Sequence, residues 1–415
     1  MTVVAPDSVP ADPTPFLLPG ATADRETAEG WARWRHSRHS FTPAPRVSVA
    51  EFRVMSPRRR QLHELHRLAT HANLAIQETP MSAAVSRLIA GRVRGNALKH
   101  GPGTRAGLMI NGGGYQGKTE TVCEVAALFE EMWLDLHGQL NPSALRGTRD
   151  LHAAVAYVQT PVTATPKSAC EAVLDFYGER CKGMTLPQLV RTVKKALHEH
   201  GTKVLILDDI TRLKMHREAD QDVLDLIRSL MSMSVTLILV GVGIRQSGLL
   251  HGGQLDPRTG QWSFPPSADD AQTQTERRFD LADLGPFRYD TPGDIEAWVR
   301  HLAGIEDQLR LLHAEPGMLT SGDMPEYLFR RTGGVVGLLE RLIEDGCSEA
   351  IGTGEERLTA DLLDDVDISL GNLSRRDPAA GEVPPVPARQ RPRAKRRPRN
   401  TVFDDRGAPG TGAAV

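Results

Sequence analysis

Cysteine is scarce, and the four that occur are scattered. Cys123, Cys170, Cys181 and Cys347 form no C-x-x-C pair and have no histidine at ligand spacing. That pattern argues against a disulfide framework and a zinc site and leaves buried free thiols as the expectation. Long apolar runs are missing as well. The best of them, Val235 to Gly243, is strand-sized and far short of a membrane span. The N-terminus, MTVVAPDSVPADPTPFLLPG, lacks the basic and continuous apolar regions of a signal peptide, so a cytoplasmic protein with no membrane partner is expected. His63 and His66, like His198 and His200, have no supporting cysteine or carboxylate constellation and read as exposed helix histidines, not metal ligands. Neither sign of charge dominates the whole. The formal net charge is −2, although basic residues crowd one end.

What is present is an ordinary soluble composition, 40% hydrophobic and 25% charged, in a chain of 415 residues, long enough for two or three domains. Residues 1–55 read as a mostly disordered arm, most clearly over the first 25 or so, which are rich in Pro, Ala, Asp and Thr. Within that arm TAEGWARWRHSRHSF, Thr27 to Phe41, pairs two tryptophans with basic residues. It is either a short helix packed on the body or an arm that touches a neighbour or nucleic acid; packing is favoured because tryptophans usually bury against something. Residues 56–290 read as an α/β core with a helical lead-in. Helices are expected over Ser56 to Glu78, with Ser56 as N-cap and Leu62, Leu65 and Leu68 recurring, and over Pro80 to Ala97.

A βαβ alternation follows. Strands are expected at Ala106 to Ile110, Ala153 to Gln159, Lys203 to Leu207, Val235 to Val240 and Phe279 to Phe287. Helices are expected at Lys118 to His137 (Val122, Val125, Ala126, Phe129, Met132 and Leu136 on one face), Ser168 to Tyr177, Leu186 to His200 and Asp220 to Met231. Near-continuous apolar strands separated by helices imply a parallel sheet covered on both faces. Leu250 to Thr275 has no period and reads as a long loop. Helices over Asp294 to His313 and Pro325 to Ile351 make a small helical domain, residues 291–373, and residues 374–415 read as a disordered basic tail.

Between the first strand and its helix lies NGGGYQGKTE. Gly112, Gly117, Lys118 and Thr119 match G-x-x-x-x-G-K-[ST] without mismatch, in the strand-to-helix context the motif needs. Glycines allow backbone N–H groups to turn toward phosphate oxygens, and the helix start adds positive potential. Gly112, Gly113, Gly114, Tyr115, Gln116, Gly117, Lys118, Thr119 and Glu120 are therefore candidates to bind a nucleotide, ATP, with Lys118 on the outer phosphates and Thr119 on Mg2+. About 90 residues downstream, KVLILDD ends a buried strand in two acids: Asp208 is expected to share the magnesium with Thr119, and Asp209 to orient the attacking water. Asp209 is one methylene shorter than the glutamate common there, so slow hydrolysis is expected. Arg277 and Arg278, in QTERRFDL, are candidates for an arginine finger reaching an adjacent subunit's nucleotide, or else for surface pairs with Glu276 or Asp280. The glycines of TGGVVG, Thr332 to Gly337, allow close approach to a nucleotide's base and ribose, or plain helix packing.

The order of these features resembles a family: NGGGYQGKTET, a strand ending VQTP with TPKSACEAVLDFYG after it, LILDD, a GVG strand end, RRF and TGGVVGLLERLIEDG. It is similar to the TniB/TnsC-type AAA+ ATPases of bacterial transposons, relatives of the phage Mu target-capture ATPase, over roughly residues 56–367. The resemblance implies an AAA+ P-loop fold with a helical lid, ATP-dependent binding and homo-oligomerisation on target double-stranded DNA, recruitment of a transposase, and release on hydrolysis. The chain departs from the wider AAA+ pattern at Asp209, at Val240-Gly241-Val242-Gly243, where no polar sensor stands, and at Gly334 to Gly337, which holds no arginine although Arg331 is adjacent. For DNA, TRLKMHRE offers Arg212, Lys214 and Arg217, with Arg58 to Arg60 and the tail from Arg389 to Arg399 in addition. No helix-turn-helix or zinc-finger pattern points to base readout. A signalling NTPase of the STAND type would call for a C-terminal repeat array, and a protein-acting loader for aromatic residues after the second strand; VQTPVTATPK has none.

Overall fold

The computed structural model describes residues 24–140, 153–162, 164–212, 220–244 and 278–368, together with residue 16 and the pairs 254–255 and 262–263. Five strands form one parallel sheet: β1 (Gly107–Asn111), β2 (Val155–Gln159), β3 (Val204–Asp208), β4 (Thr236–Gly241) and β7 (Phe279–Asp283), in the order β2-β3-β4-β1-β7. β5 (Gln254–Leu255) and β6 (Trp262–Ser263) pair separately as a short antiparallel ladder. β3 and β4 are buried along their whole length and β1 and β2 at all but the last residue, which is why they read as aliphatic runs and not as alternations.

Helices cover both faces. α4 (Pro80–Ala97) and α5 (Lys118–Leu140) pack together against the sheet, and α6 (Pro166–Phe176), α7 (Leu186–Glu199) and α8 (Asp220–Met231) form the second set. α4, α6 and α7 each start with a capping box and a proline in the first turn, local signals that agree with the tertiary placement. On α5 the inward face is Val122, Val125, Ala126 and Phe129; Met132 and Leu136, expected on it, are each 41% exposed.

The N-terminal region departs most from expectation. Residues 24–55 belong to the arm expected to be mostly disordered, yet they carry α1 (Ala28–Ser37) and α2 (Val49–Val54). α1 is bolted to α5: Trp31 is fully buried and donates its indole N–H to Glu130 at 2.6 Å, Arg35 lies 3.3 Å from the same carboxylate, and Arg38 reaches Glu131 at 2.5 Å. α3 (Pro57–Ala72) ends six residues before the expected Glu78, because the backbone beyond it finds partners elsewhere: the Ala75 N–H donates to Gln308 at 2.5 Å. Its buried face is His63, His66, Arg67, Thr70 and His71, while Leu65 is 47% exposed. His63 and His66 are therefore buried, not the exposed histidines expected, and bond the carbonyls of Pro45 and Thr42.

That polar face stands on the lid, not on the α/β core. The lid contains α9 (Pro292–Glu306), α10 (Met324–Thr332), α11 (Val336–Thr353) and α12 (Ala360–Asp364). Arg67 forms a buried two-point pair with Glu356, at 2.6 and 3.0 Å; His71 accepts the Arg310 N–H at 2.9 Å; the Arg310 guanidinium donates to the Ala44 carbonyl at 2.7 Å. α9 stops at Glu306, short of the expected His313, since the amides of Arg310 and Leu312 are taken by His71 and Glu356 instead of by helix carbonyls. The stretch 325–351 is two helices, not one: Gly333 and Gly334 both adopt positive φ (60° and 71°), which ends α10. Residues 1–23 (residue 16 apart), most of 250–275, and 374–415 with Arg389 to Arg399 lie outside the described residues.

Candidate nucleotide site

β1 delivers the glycine loop to the edge of the sheet at its C-terminal end. Asn111 closes the strand by donating its amide to Asp283 at 2.7 Å and accepting the Ile244 N–H at 2.9 Å, so β7 and the end of β4 are tied to the loop's root. Gly112 is required by proximity, since a Cβ there would come within 2.4 Å of the Leu284 carbonyl oxygen. Gly117 needs its freedom of backbone, with φ at 71°. Within the loop the Gly113 N–H donates to the Gln116 side chain at 2.6 Å, and Lys118 folds back to donate to the Gly113 carbonyl at 2.6 Å. Tyr115, at φ 60°, is 66% exposed at the tip. Burial holds the Lys118 amine below its ordinary pKa, with Asp208 and Asp209 opposing the shift.

The two halves of the site meet as expected. The Thr119 hydroxyl donates to Asp208 Oδ2 at 2.7 Å, bringing a hydroxyl and a carboxylate together beside the glycine loop. Hard oxygen donors of this kind suit Mg2+, which takes one or two protein oxygens and completes its shell with water and phosphate. Among the described residues no cluster of three or more His, Cys, Asp or Glu offers an alternative metal site. Magnesium held by Asp208 and Thr119 would neutralise charge on the phosphate oxygens.

Asp208 has two further donors that the sequence reading did not assign. The Tyr157 hydroxyl donates to Oδ2 at 2.9 Å and the Asp209 N–H to Oδ1 at 2.8 Å. A tyrosine in an otherwise aliphatic buried strand is the signal that was available, because a buried phenol needs a partner. Burial, with the Asp208 carboxylate beside it, drives the Tyr157 phenol well above its ordinary pKa and keeps it a donor. Asp209 adopts φ 51°, and its carboxylate is engaged by Arg212 at 2.8 Å and, more loosely, by Gln159 at 3.4 Å. Arg212, expected to face DNA, also donates to the Thr160 carbonyl at 3.1 Å; Lys214 and Arg217 lie outside the described residues.

Glu120 is paired with Arg25 at 2.9 Å, and that guanidinium also sits over the rings of Trp34 and Tyr157. Arg277 lies outside the described residues. Arg278 stands at the start of β7, where its carbonyl accepts the Gly107 N–H at 2.8 Å. β1 and β7 run parallel from that end, so Arg278 is a strand's length from its own glycine loop and is not brought into its own site. Asp280, the alternative partner for these arginines, is bonded by Arg92.

From the lid, the Gly337 N–H in the first turn of α11 donates to the Tyr115 carbonyl at 2.9 Å, and a Cβ at Gly337 would lie 2.9 Å from that oxygen. Gly334 makes its close approach to the Phe287 backbone instead. Arg331 is occupied within the lid, donating to the carbonyls of Leu363 and Val366, both at 2.8 Å, and to Asp364.

A five-stranded parallel sheet in this order, a glycine loop facing a strand-end aspartate and a helical lid reaching the loop define an α/β P-loop NTPase of the AAA+ fold class. A family model described as an AAA domain matches residues 107–246, from β1 to just past β4. A comparison with curated proteins finds no match. Among solved structures, Cdc6p from Pyrobaculum aerophilum is 15% identical, covering 70% of this chain and 67% of its own, at a TM-score of 0.46. Domain III of the Thermotoga maritima replication initiation protein DnaA is 13% identical, covering 71% and 92%, at 0.38. The Thermotoga maritima RuvB Holliday junction branch migration motor is 11% identical, covering 68% and 66%, at 0.34. Likenesses at this level carry no argument about activity.

Proposed function

We propose that the chain is an ATP- and Mg2+-dependent, DNA-binding regulator of transposition of the TniB/TnsC type, a cytoplasmic protein that oligomerises on double-stranded DNA, recruits or activates a transposase, and hydrolyses ATP slowly. The observation that supports a switch over a motor is Asp209. The residue in the water-orienting position is short, is held by Arg212 and leaves an extended backbone for a left-handed one. The groups assigned to binding, in contrast, stand beside one another: Lys118 lies against the glycine loop at Gly113, and Thr119 bonds Asp208. Phosphate-directed DNA contacts are assigned to Arg212, Lys214 and Arg217 and to the exposed Arg58 and Arg59. Arg60 is partly drawn to the carbonyls of Met55 and Arg53. Arg278, or Arg277 beside it, is assigned to a neighbouring subunit's nucleotide, consistent with its distance from its own.

The test is binding to a random-sequence duplex in ATP, in ADP and without nucleotide. Binding is expected with ATP only. Lys118→Ala should weaken nucleotide binding by about tenfold or more, the worth of a charge-assisted contact to phosphate, and abolish the ATP effect. Arg278→Ala should keep nucleotide binding and lose the hydrolysis that assembly on DNA stimulates. Duplex binding that ignores nucleotide, or is absent throughout, would sink the switch.

A further inference from the structure

We infer that Tyr157 is a positioning residue for Asp208, and that helix α1 belongs to the nucleotide site because it holds Tyr157 in place. The inference rests on the nucleotide-binding reading above. It starts from a property of the aspartate side chain: the terminal torsion of a carboxylate is broad, so its own rotamer does not fix the plane of the two oxygens. Donors must do so. Oδ1 is fixed by the Asp209 N–H at 2.8 Å, and Oδ2 is shared between the Thr119 hydroxyl at 2.7 Å and the Tyr157 hydroxyl at 2.9 Å. Of the two hydroxyls, that of Thr119 is the one expected to face the metal. Tyr157 is the donor with no other duty. Its ring rises from β2, where it pairs with Ile206 of β3, two residues before Asp208.

A phenol orients its partner only if the ring is itself immobile, and the walls of this ring come from the N-terminal region. Trp31 of α1 stacks on it, with centroids 6.2 Å apart and planes 14° from parallel, and the Arg25 guanidinium lies 5.5 Å from its centroid. Trp31 is fixed in turn by Glu130, which also accepts the N–H of Val155, two residues before Tyr157 on the same strand, at 3.0 Å. Arg25 holds Glu120, the residue after Thr119. A single side-chain network thus runs from α1 through Tyr157 to the metal-side carboxylate, and from Arg25 to the turn that carries Thr119. Nothing in it requires contact with nucleotide.

The experiment is equilibrium binding of a fluorescent ATP analogue to the full chain, in EDTA and across a MgCl2 titration. Tyr157→Phe removes one hydroxyl and keeps the ring. It is expected to raise the half-saturating Mg2+ concentration by about tenfold, the low end for losing a hydrogen bond that orients a metal-ligating group, while binding in EDTA stays as in the wild type. Trp31→Phe, which leaves all three donors but loosens the ring, should shift the titration in the same direction by less. Where Tyr157→Phe does not fold, Trp31→Phe carries the test alone, and an unchanged titration overturns the inference. A Tyr157→Phe titration that superimposes on a Mg2+-dependent wild type overturns the inference and leaves the nucleotide reading standing. A wild type that binds no nucleotide overturns that reading and this one with it.

Discussion

At the scale of single residues, the site joins Asp208 to the distant Thr119 and Tyr157 by short hydrogen bonds, but its most consequential pairing is a local one, Arg212 with Asp209. An aspartate whose oxygen is already engaged by a guanidinium at 2.8 Å is not free to orient a water. Arg212→Ala is expected to raise basal ATP turnover by about tenfold, a fraction of what a positioned general base contributes, without weakening nucleotide binding. Turnover equal to or below the wild type would refute the restraint. Lys118, Thr119 and Asp208 were legible because their chemistry fixes their spacing and context. Tyr157 and Arg25 were not, since the sequence gives no register between β2 and β3, and no periodicity says where a residue in a coil segment before α1 will rest. Arg212 stands between the two cases: its charge and the acid three residues before it were both visible, but the positive φ that turns Asp209 toward it was not.

At the scale of elements, strands β1 to β4 and the helices between them were legible to within a few residues, because continuous burial leaves continuous aliphatic runs and helix starts carry caps and prolines; β7, half-buried at the sheet edge, stops at Asp283 and not at the expected Phe287. α3 shows where that logic stops. A helix whose buried face is His63, His66, Arg67, Thr70 and His71 has its leucines elsewhere, and hydrophobic periodicity points to the wrong side. What holds it is the Arg67–Glu356 pair, in which removal of one partner strands a buried charge. Arg67→Met is expected to destabilise the fold by about 3 kcal/mol or more. Adding Glu356→Gln, which removes the charge and keeps an acceptor for the Leu312 N–H, should recover much of the loss. Urea unfolding of the single and double variants decides it; equal losses would show that the pair is not what matters.

At the scale of the whole molecule, two buried histidines make stability depend on pH. Burial pushes His71 and His301 down to about 4, with Arg67 and Arg310 adding to the shift at His71. Unfolded histidine titrates near 6.5, so between about 6.5 and 4 the unfolded chain binds more protons than the folded one, and stability falls as pH falls. At pH 5 each histidine contributes a loss of up to about 2 kcal/mol relative to neutral pH. His301→Leu should therefore flatten the difference between melting points at pH 7.5 and 5; an undiminished difference would count against His301 as a source. The N-terminal docking has a mechanical consequence. α1 and α4 are fixed to the sheet while α3 between them is fixed to the lid, so the backbone crosses between core and lid at residues 38–42, at 73–79 and again at 284–291. A lid hung from one connection swings freely, whereas one hung from three behaves as a linkage with few directions of travel. Its seat on the loop at Tyr115, where the Gly337 N–H is bonded, therefore costs little freedom, because most of that freedom was surrendered on folding.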